Sequence, residues 1–171
     1  MRLFISIPTP EYLQEYFVNL QQPFRHHDLN ITSKNQFHIT LKFLGDTEPE
    51  NVHSYLMHIK EKPFNLTLTT YGVFPSPQFA RVLWIGTTPE LNPLQKKIDI
   101  ALEPLFPKEE KFHSHITLGR FKKPPYAGEL LKDLQRPVEQ HTFPVTQFHL
   151  MKSILSSQGS KYTIVNEYTL E

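Results

Sequence analysis

The sequence predicts an α+β fold of two similar lobes packed together, and three observations predict it. Strand-like alternation and helical spacing take turns along the 171-residue chain, the pattern of mixed strands and helices. The tetrapeptide His38-Ile39-Thr40-Leu41 recurs as His115-Ile116-Thr117-Leu118, 77 positions later. Each copy lies in a strand-like setting with an aromatic residue close upstream, Phe37 or Phe112, so one unit is read as used twice. No stretch rich in Gly or Ser separates the halves, and residues 1–171 read as one bilobal domain.

The elements follow in order. Residues 2–7 are rich in β-formers and end at Pro8. Residues 11–22 carry Leu13, Phe17 and Leu20 near helical spacing, with Pro10 available to start the helix. Residues 37–43 alternate strictly, a half-buried strand. Residues 49–60 place Val52, Leu56 and Ile59 on one helical stripe, with Thr47 as N-cap and Glu50 three residues later. Residues 64–74 and 81–87 read as strands around the loop Pro75-Ser76-Pro77. Leu91, Leu94, Ile98, Ala101, Leu102 and Leu105 mark a helix over 90–105. A strand is expected over 113–121, a short helix over 128–134, and two strands over 143–155 and 162–170 joined by a hairpin loop.

Composition narrows the function. Lys and Arg total 18 against 17 Asp and Glu, a formal net charge of +1, so any anion site must come from a local cluster. There is no cysteine, which excludes disulfides, thiolate nucleophiles and cysteine-held metal or iron–sulfur centres. No stretch is long and apolar enough to cross a bilayer. Residues 1–10 lack the basic start and longer apolar core of a secretion signal. A cytoplasmic monomer is the expectation.

The repeated motif carries the chemistry. On a strand, residues two apart share a face, so each copy presents one imidazole and one hydroxyl side by side while its Ile and Leu face a core. If the two strands meet, His38, Thr40, His115 and Thr117 aim at one point. Phosphodiester hydrolysis needs one proton taken from water and one given to the leaving oxygen, and histidine does either near neutral pH. Threonine hydroxyls donate to the non-bridging oxygens. Metal catalysis fits less well: threonine is a poor ligand, neither motif holds Asp or Glu, and His113-x-His115 would need further ligands.

Around the motifs, Lys42 shares the parity of His38 and Thr40 and is a candidate phosphate-binding cation. Arg120 is out of parity with His115 and reaches the same face only from the strand end or after a bulge. Arg81 opens a strand between the motifs. Phe4, Tyr126 and Phe148 are candidates for stacking a base. The other histidines, His26 and His27 among them, read as surface or packing residues, and Trp84 reads as core.

These residues resemble the two-histidine (2H) phosphoesterase superfamily, and within it the RNA 2′,3′-cyclic phosphodiesterases, also called 2′-5′ RNA ligases. The likeness rests on Arg2 to Ile5, FHITLKFLG at 37–45, VLWIG at 82–86, HITLGR at 115–120, residues 148–153 and Lys161-Tyr162. It implies two lobes, each an antiparallel sheet with helices, around a pseudo-twofold axis and a central cleft. It implies that His38 protonates the leaving oxygen, that His115 activates water, and that Thr40, Thr117 and Arg120 hold the phosphate. It implies metal- and cofactor-free opening of RNA 2′,3′-cyclic phosphate ends to 2′-phosphomonoesters, with 2′-5′ ligation as the reverse. Ser114 stands where relatives often carry proline, a change expected to affect the start of the strand more than catalysis.

Two other readings remain open at this level. One is a related phosphodiesterase acting on a small nucleotide or a 2′-5′ oligoadenylate. The other is a nucleotide-binding module without catalysis, against which the presence of both histidines and both threonines speaks.

Overall fold

A computed structural model describes residues 1–171, the side chain of Asn92 excepted. The chain forms strands β1 (Arg2–Pro8), β2 (Leu29–Ile31), β3 (His38–Asp46), β4 (Phe64–Phe74), β5 (Val82–Thr88), β6 (His115–Phe121), β7 (Thr142–Val145), β8 (Gln147–Ser156) and β9 (Gly159–Thr169). Its α-helices are α1 (Gln14–Gln21), α2 (Pro49–Leu56), α3 (Asn92–Leu102) and α4 (Ala127–Leu134). The strands make one curled sheet in the order β7-β4-β5-β6-β3-β1-β8-β9, with β2 added beside β6. Every pairing is antiparallel.

The sheet is two four-stranded halves joined at a narrow seam. At the seam β3 meets β6 through the single register pair Ile39 and Ile116. One lobe is β3-β1-β8-β9 and the other β6-β5-β4-β7. The lobes are not the two halves of the sequence. The repeated unit runs strand, helix, strand, helix, and each half of the sequence then contributes strands to the other lobe. β4 leaves the first unit to pair with β5, and β8 leaves the second to pair with β1. Helices cross as well: α1 packs on β6 and α3 on β3.

This exchange explains one departure from the sequence reading. Residues 143–155 look like one strand, yet the run breaks at Thr146. β7 pairs with β4 in one lobe and β8 with β1 in the other. Strand β2 is a second departure. It closes on β6 at Gly119, where a β-carbon would come within 2.8 Å of the Leu29 side chain and 2.9 Å of the Asn30 carbonyl oxygen. Helix ends also shift: 11–22 begins and ends in 3₁₀ turns around α1, and α2 stops at Leu56.

One core runs along the helix-covered face. It takes Leu3, Ile5 and Ile7 from β1, Ile39 and Leu41 from β3, and Ile116 and Leu118 from β6. Phe17 from α1, Val52 and Leu56 from α2, Leu94, Ile98 and Leu102 from α3, and Leu130 from α4 close it. Their alternate neighbours on the strands are thereby turned to the opposite, concave face. Among the described residues no helix is long and apolar enough to cross a membrane.

Candidate active site

The seam positions the two motifs. Carried one residue each way, the Ile39–Ile116 register sets His38 opposite Thr117 and Thr40 opposite His115. Both isoleucines are fully buried, so the two imidazoles and two hydroxyls stand on the concave face. A diagonal pair in an antiparallel ladder lies about 7–8 Å apart between backbones, which puts both imidazoles on one patch of that face. The charge of His115 also acts on His38.

Each ring is set by its own strand's start. Nδ1 of His38 donates to the Gln36 carbonyl at 2.7 Å, and Nδ1 of His115 donates to the His113 carbonyl at 2.7 Å. A carbonyl only accepts, so the proton is fixed on Nδ1 and Nε2 is left for proton transfer. Nε2 of His38 lies 3.1 Å from Oγ1 of Thr40. The hydroxyl donates to the neutral ring and accepts from the imidazolium. Burial pulls the pKa of both histidines below the usual 6.5. Like charge adds to this, from His115 at His38 and from His113 and Arg120 at His115.

The residues just before each motif are anchored in matching ways. Thr9 Oγ1 donates to the Phe37 carbonyl at 2.8 Å. On the other lobe the Thr87 hydroxyl bonds the Ser114 hydroxyl, and the Ser114 N–H donates to Glu90 Oε2 at 2.9 Å. Proline at position 114 would lack that N–H, so the serine does affect how the strand begins.

Two matching bulges decide where the cations go. Ile5 pairs with Lys42 but Ser6 with Thr40, leaving Leu41 unmatched. Leu83 pairs with Gly119 but Trp84 with Thr117, leaving Leu118 unmatched. A bulge adds one residue and reverses parity beyond it. Arg120 therefore returns to the face of His115, where it is exposed and its charge reaches the ring.

The same reversal corrects the reading of Lys42. It turns to the helix-covered face, 3% exposed. Its Nζ lies 2.5 Å from Asp99 Oδ1 and donates to the Pro107 carbonyl at 2.7 Å. Asp99 also accepts from Gln95 Nε2 at 2.8 Å and the Glu109 N–H at 2.9 Å. Burial raises its pKa, but these hydrogen bonds together hold it below the ordinary value. Lys42 is a buried structural ion-pair partner, not a phosphate ligand.

Phe43 takes the place that parity assigned to Lys42. It stands five residues after His38, as Arg120 stands five after His115, and it is 69% exposed. Comparing the two motifs two residues further, HITLKF with HITLGR, would have paired these positions once both strands were given the same bulge.

Aromatic rings wall both histidines. Phe4 and Tyr162 lie 5.2 Å from the His38 ring, centroid to centroid. Phe74 lies 5.0 Å from His115 edge-on, and Trp84 6.1 Å. Trp84, expected in the core, is half-buried on the concave face, because its register partner is Thr117. Its indole lies across Gly72, where a β-carbon would collide with the ring. His113 packs on that indole at 4.6 Å. Of the candidate base-stacking aromatics, Phe148 is fully buried and stacked on Tyr168, which removes it. Tyr126 is exposed at the start of α4. Arg81 is exposed and precedes β5.

Two His-x-Thr strands meeting at the seam of a curled, pseudo-symmetric α+β sheet define the 2H phosphoesterase class. The chain belongs to the 2′-5′ RNA ligase superfamily, which matches it over residues 12–155. An RNA 2′,3′-cyclic phosphodiesterase of Methanocaldococcus jannaschii is 31% identical, covering 98% of this chain and 100% of the relative. One from Aquifex aeolicus is 32% identical, covering 99% and 97%. A crystal structure of a Thermus thermophilus protein superposes with a TM-score of 0.85 at 27% identity, covering 99% and 98% of the two chains.

Proposed function

We propose that this chain is a phosphodiesterase that opens RNA 2′,3′-cyclic phosphate ends to 2′-phosphomonoesters without a metal, with 2′-5′ ligation as the reverse reaction. The observation that carries the reading is the pair of imidazoles, each pinned through Nδ1, on strands joined at Ile39 and Ile116. The names of the near full-length relatives support the substrate class. Every group invoked comes from one chain, which supports an enzyme that works as a monomer, with residues 1–171 acting as one bilobal domain.

Water attacks phosphorus as Nε2 of His115 takes its proton. The bond from phosphorus to the ribose 3′ oxygen breaks, and His38 gives that oxygen its proton. The 2′ ester remains. Thr40, Thr117 and Arg120 donate to the non-bridging oxygens, whose charge is redistributed in the transition state.

The test is turnover of an oligonucleotide ending in a 2′,3′-cyclic phosphate, in EDTA and across pH, with product assignment. A 2′-phosphate product at an undiminished rate in EDTA is expected. Loss of activity in EDTA, or turnover confined to small nucleotides, contradicts the reading. The pH dependence has a definite sign. Burial lowers both pKa values in the free enzyme, so kcat/KM peaks below pH 6.5. A bound phosphate anion favours imidazolium, so the kcat optimum lies at higher pH than that of kcat/KM.

The role of His38 also places the nucleoside. The ribose oxygen receives its proton from His38, so the base lies over the lobe of β3, β1, β8 and β9. There the register sets Phe43, Phe4, Met151 and Ile164 in one cross-strand row. Phe43 is the exposed aromatic in it. Phe43→Ala should raise KM about 5- to 150-fold, the worth of one base stacked on an aromatic ring, with kcat nearly kept. A KM effect from Trp84→Ala and none from Phe43→Ala would put the base on the other lobe.

A further inference from the structure

Outside the cleft, His26, His27 and Asp133 bring three ligand atoms within 4.8 Å of one another. The histidines end the 3₁₀ segment Gln22–His27, and Asp133 lies in α4. These two segments pack together on the helix-covered side of the β6-β5-β4-β7 lobe. Nε2 of His26 and Nε2 of His27 lie 2.9 and 2.8 Å from the same carboxylate oxygen, Oδ2. The two rings lie side by side, centroids 3.8 Å apart. Arg136 Nε donates to the other oxygen, Oδ1, at 3.0 Å, which aims Oδ2 at the imidazoles. The mechanism above uses none of these groups.

We propose that His26, His27 and Asp133 form a binding site for one divalent transition-metal ion of the zinc class. Two imidazole nitrogens and one carboxylate oxygen suit zinc, cobalt or nickel and not magnesium or calcium, which take oxygen ligands. The His27 side chain is 3% exposed and that of His26 56%. One ligand is thus fixed from within, while the open side leaves a fourth position for water. The three ligand atoms already converge, and the exposed His26 ring has room to turn so that the ion enters between them. Each Nε2 gives the metal its lone pair, and its proton moves to Nδ1 or to solvent. The ion cross-links segments 106 positions apart in sequence and acts on stability, not on turnover.

The test uses the whole protein and zinc chloride in a non-chelating buffer. Calorimetry should show one ion bound per chain. Tm should rise by about 5–10 °C at a zinc concentration one hundred times Kd. His26→Ala changes an exposed residue and should keep the fold, yet weaken zinc binding about tenfold or more and cancel the Tm rise. His115→Ala should bind zinc as the natural protein does, and cobalt should give the visible absorption of a four-coordinate site. The absence of saturable binding, or unchanged zinc affinity in His26→Ala, would overturn the assignment, since these are the results that a merely hydrogen-bonded cluster predicts. Turnover of cyclic phosphate enters neither readout, so this proposal and the proposed function fail separately.

Discussion

Replacing His115 with alanine should lower kcat on a 2′,3′-cyclic-phosphate oligonucleotide by about 10²- to 10⁴-fold. In the proposed mechanism the ring is the base that takes the water proton, and no other group is assigned that step. The change should leave KM nearly unmoved, because the proposed phosphate ligands, Arg120 and the two threonines, are untouched. It should also leave the fold in place: the lost side chain is only partly buried, and its hydrogen bond to the His113 carbonyl orients the ring and does not join distant elements. Initial rates with a melting curve on the same sample check both parts. A variant that melts normally and turns over at the natural rate would remove His115 from the mechanism.

The second large effect is on stability. Lys42→Met should destabilise the protein by roughly 3–5 kcal/mol, because it leaves Asp99 charged and buried without its cation. For a chain of this size that is a fall of about 6–20 °C in Tm. The Pro107 carbonyl loses its tie to β3 at the same time. Asp99→Leu added to Lys42→Met should recover most of the loss, since a buried pair is replaced by apolar groups. Below the melting range, KM for the cyclic phosphate should stay within a few-fold of normal. A large rise in KM with unchanged Tm would return Lys42 to the phosphate site. The sign with pH follows from Asp99, whose pKa is held below its ordinary value. The ion pair's contribution is complete above the ordinary carboxylate range and fades as pH falls through the folded value.

Lys42 and Arg120 mark the limit of what the sequence makes legible. Alternation over HITL gives the strand, its buried face and the side-by-side imidazole and hydroxyl, and all of these recur in the structure. A bulge leaves no mark in periodicity, because Leu41 and Leu118 stay in step with the buried Ile39 and Ile116 two residues before them. Parity counted through Leu41 and Leu118 therefore sends Lys42 to the concave face and Arg120 away from it, and both are reversed. The lobe exchange is hidden for a similar reason. Residues 143–155 read as one strand despite Pro144, and the pairing partners, β4 before Thr146 and β1 after it, show that the chain changes lobes. Trp84 looks like core by composition, and its place on the cleft wall depends on Gly72 from another strand. His26 and His27 are 106 or more positions from Asp133, and no local pattern links them.

The most direct measurement is a nitrogen-15 NMR titration of the imidazole resonances with adenosine 2′-phosphate, a mononucleotide carrying the product's phosphate. His38 and His115 should shift together, with one Kd and with both pKa values moved upward by the bound anion. A single ring responding, or two rings responding with different Kd values, would show that no one phosphate lies between them.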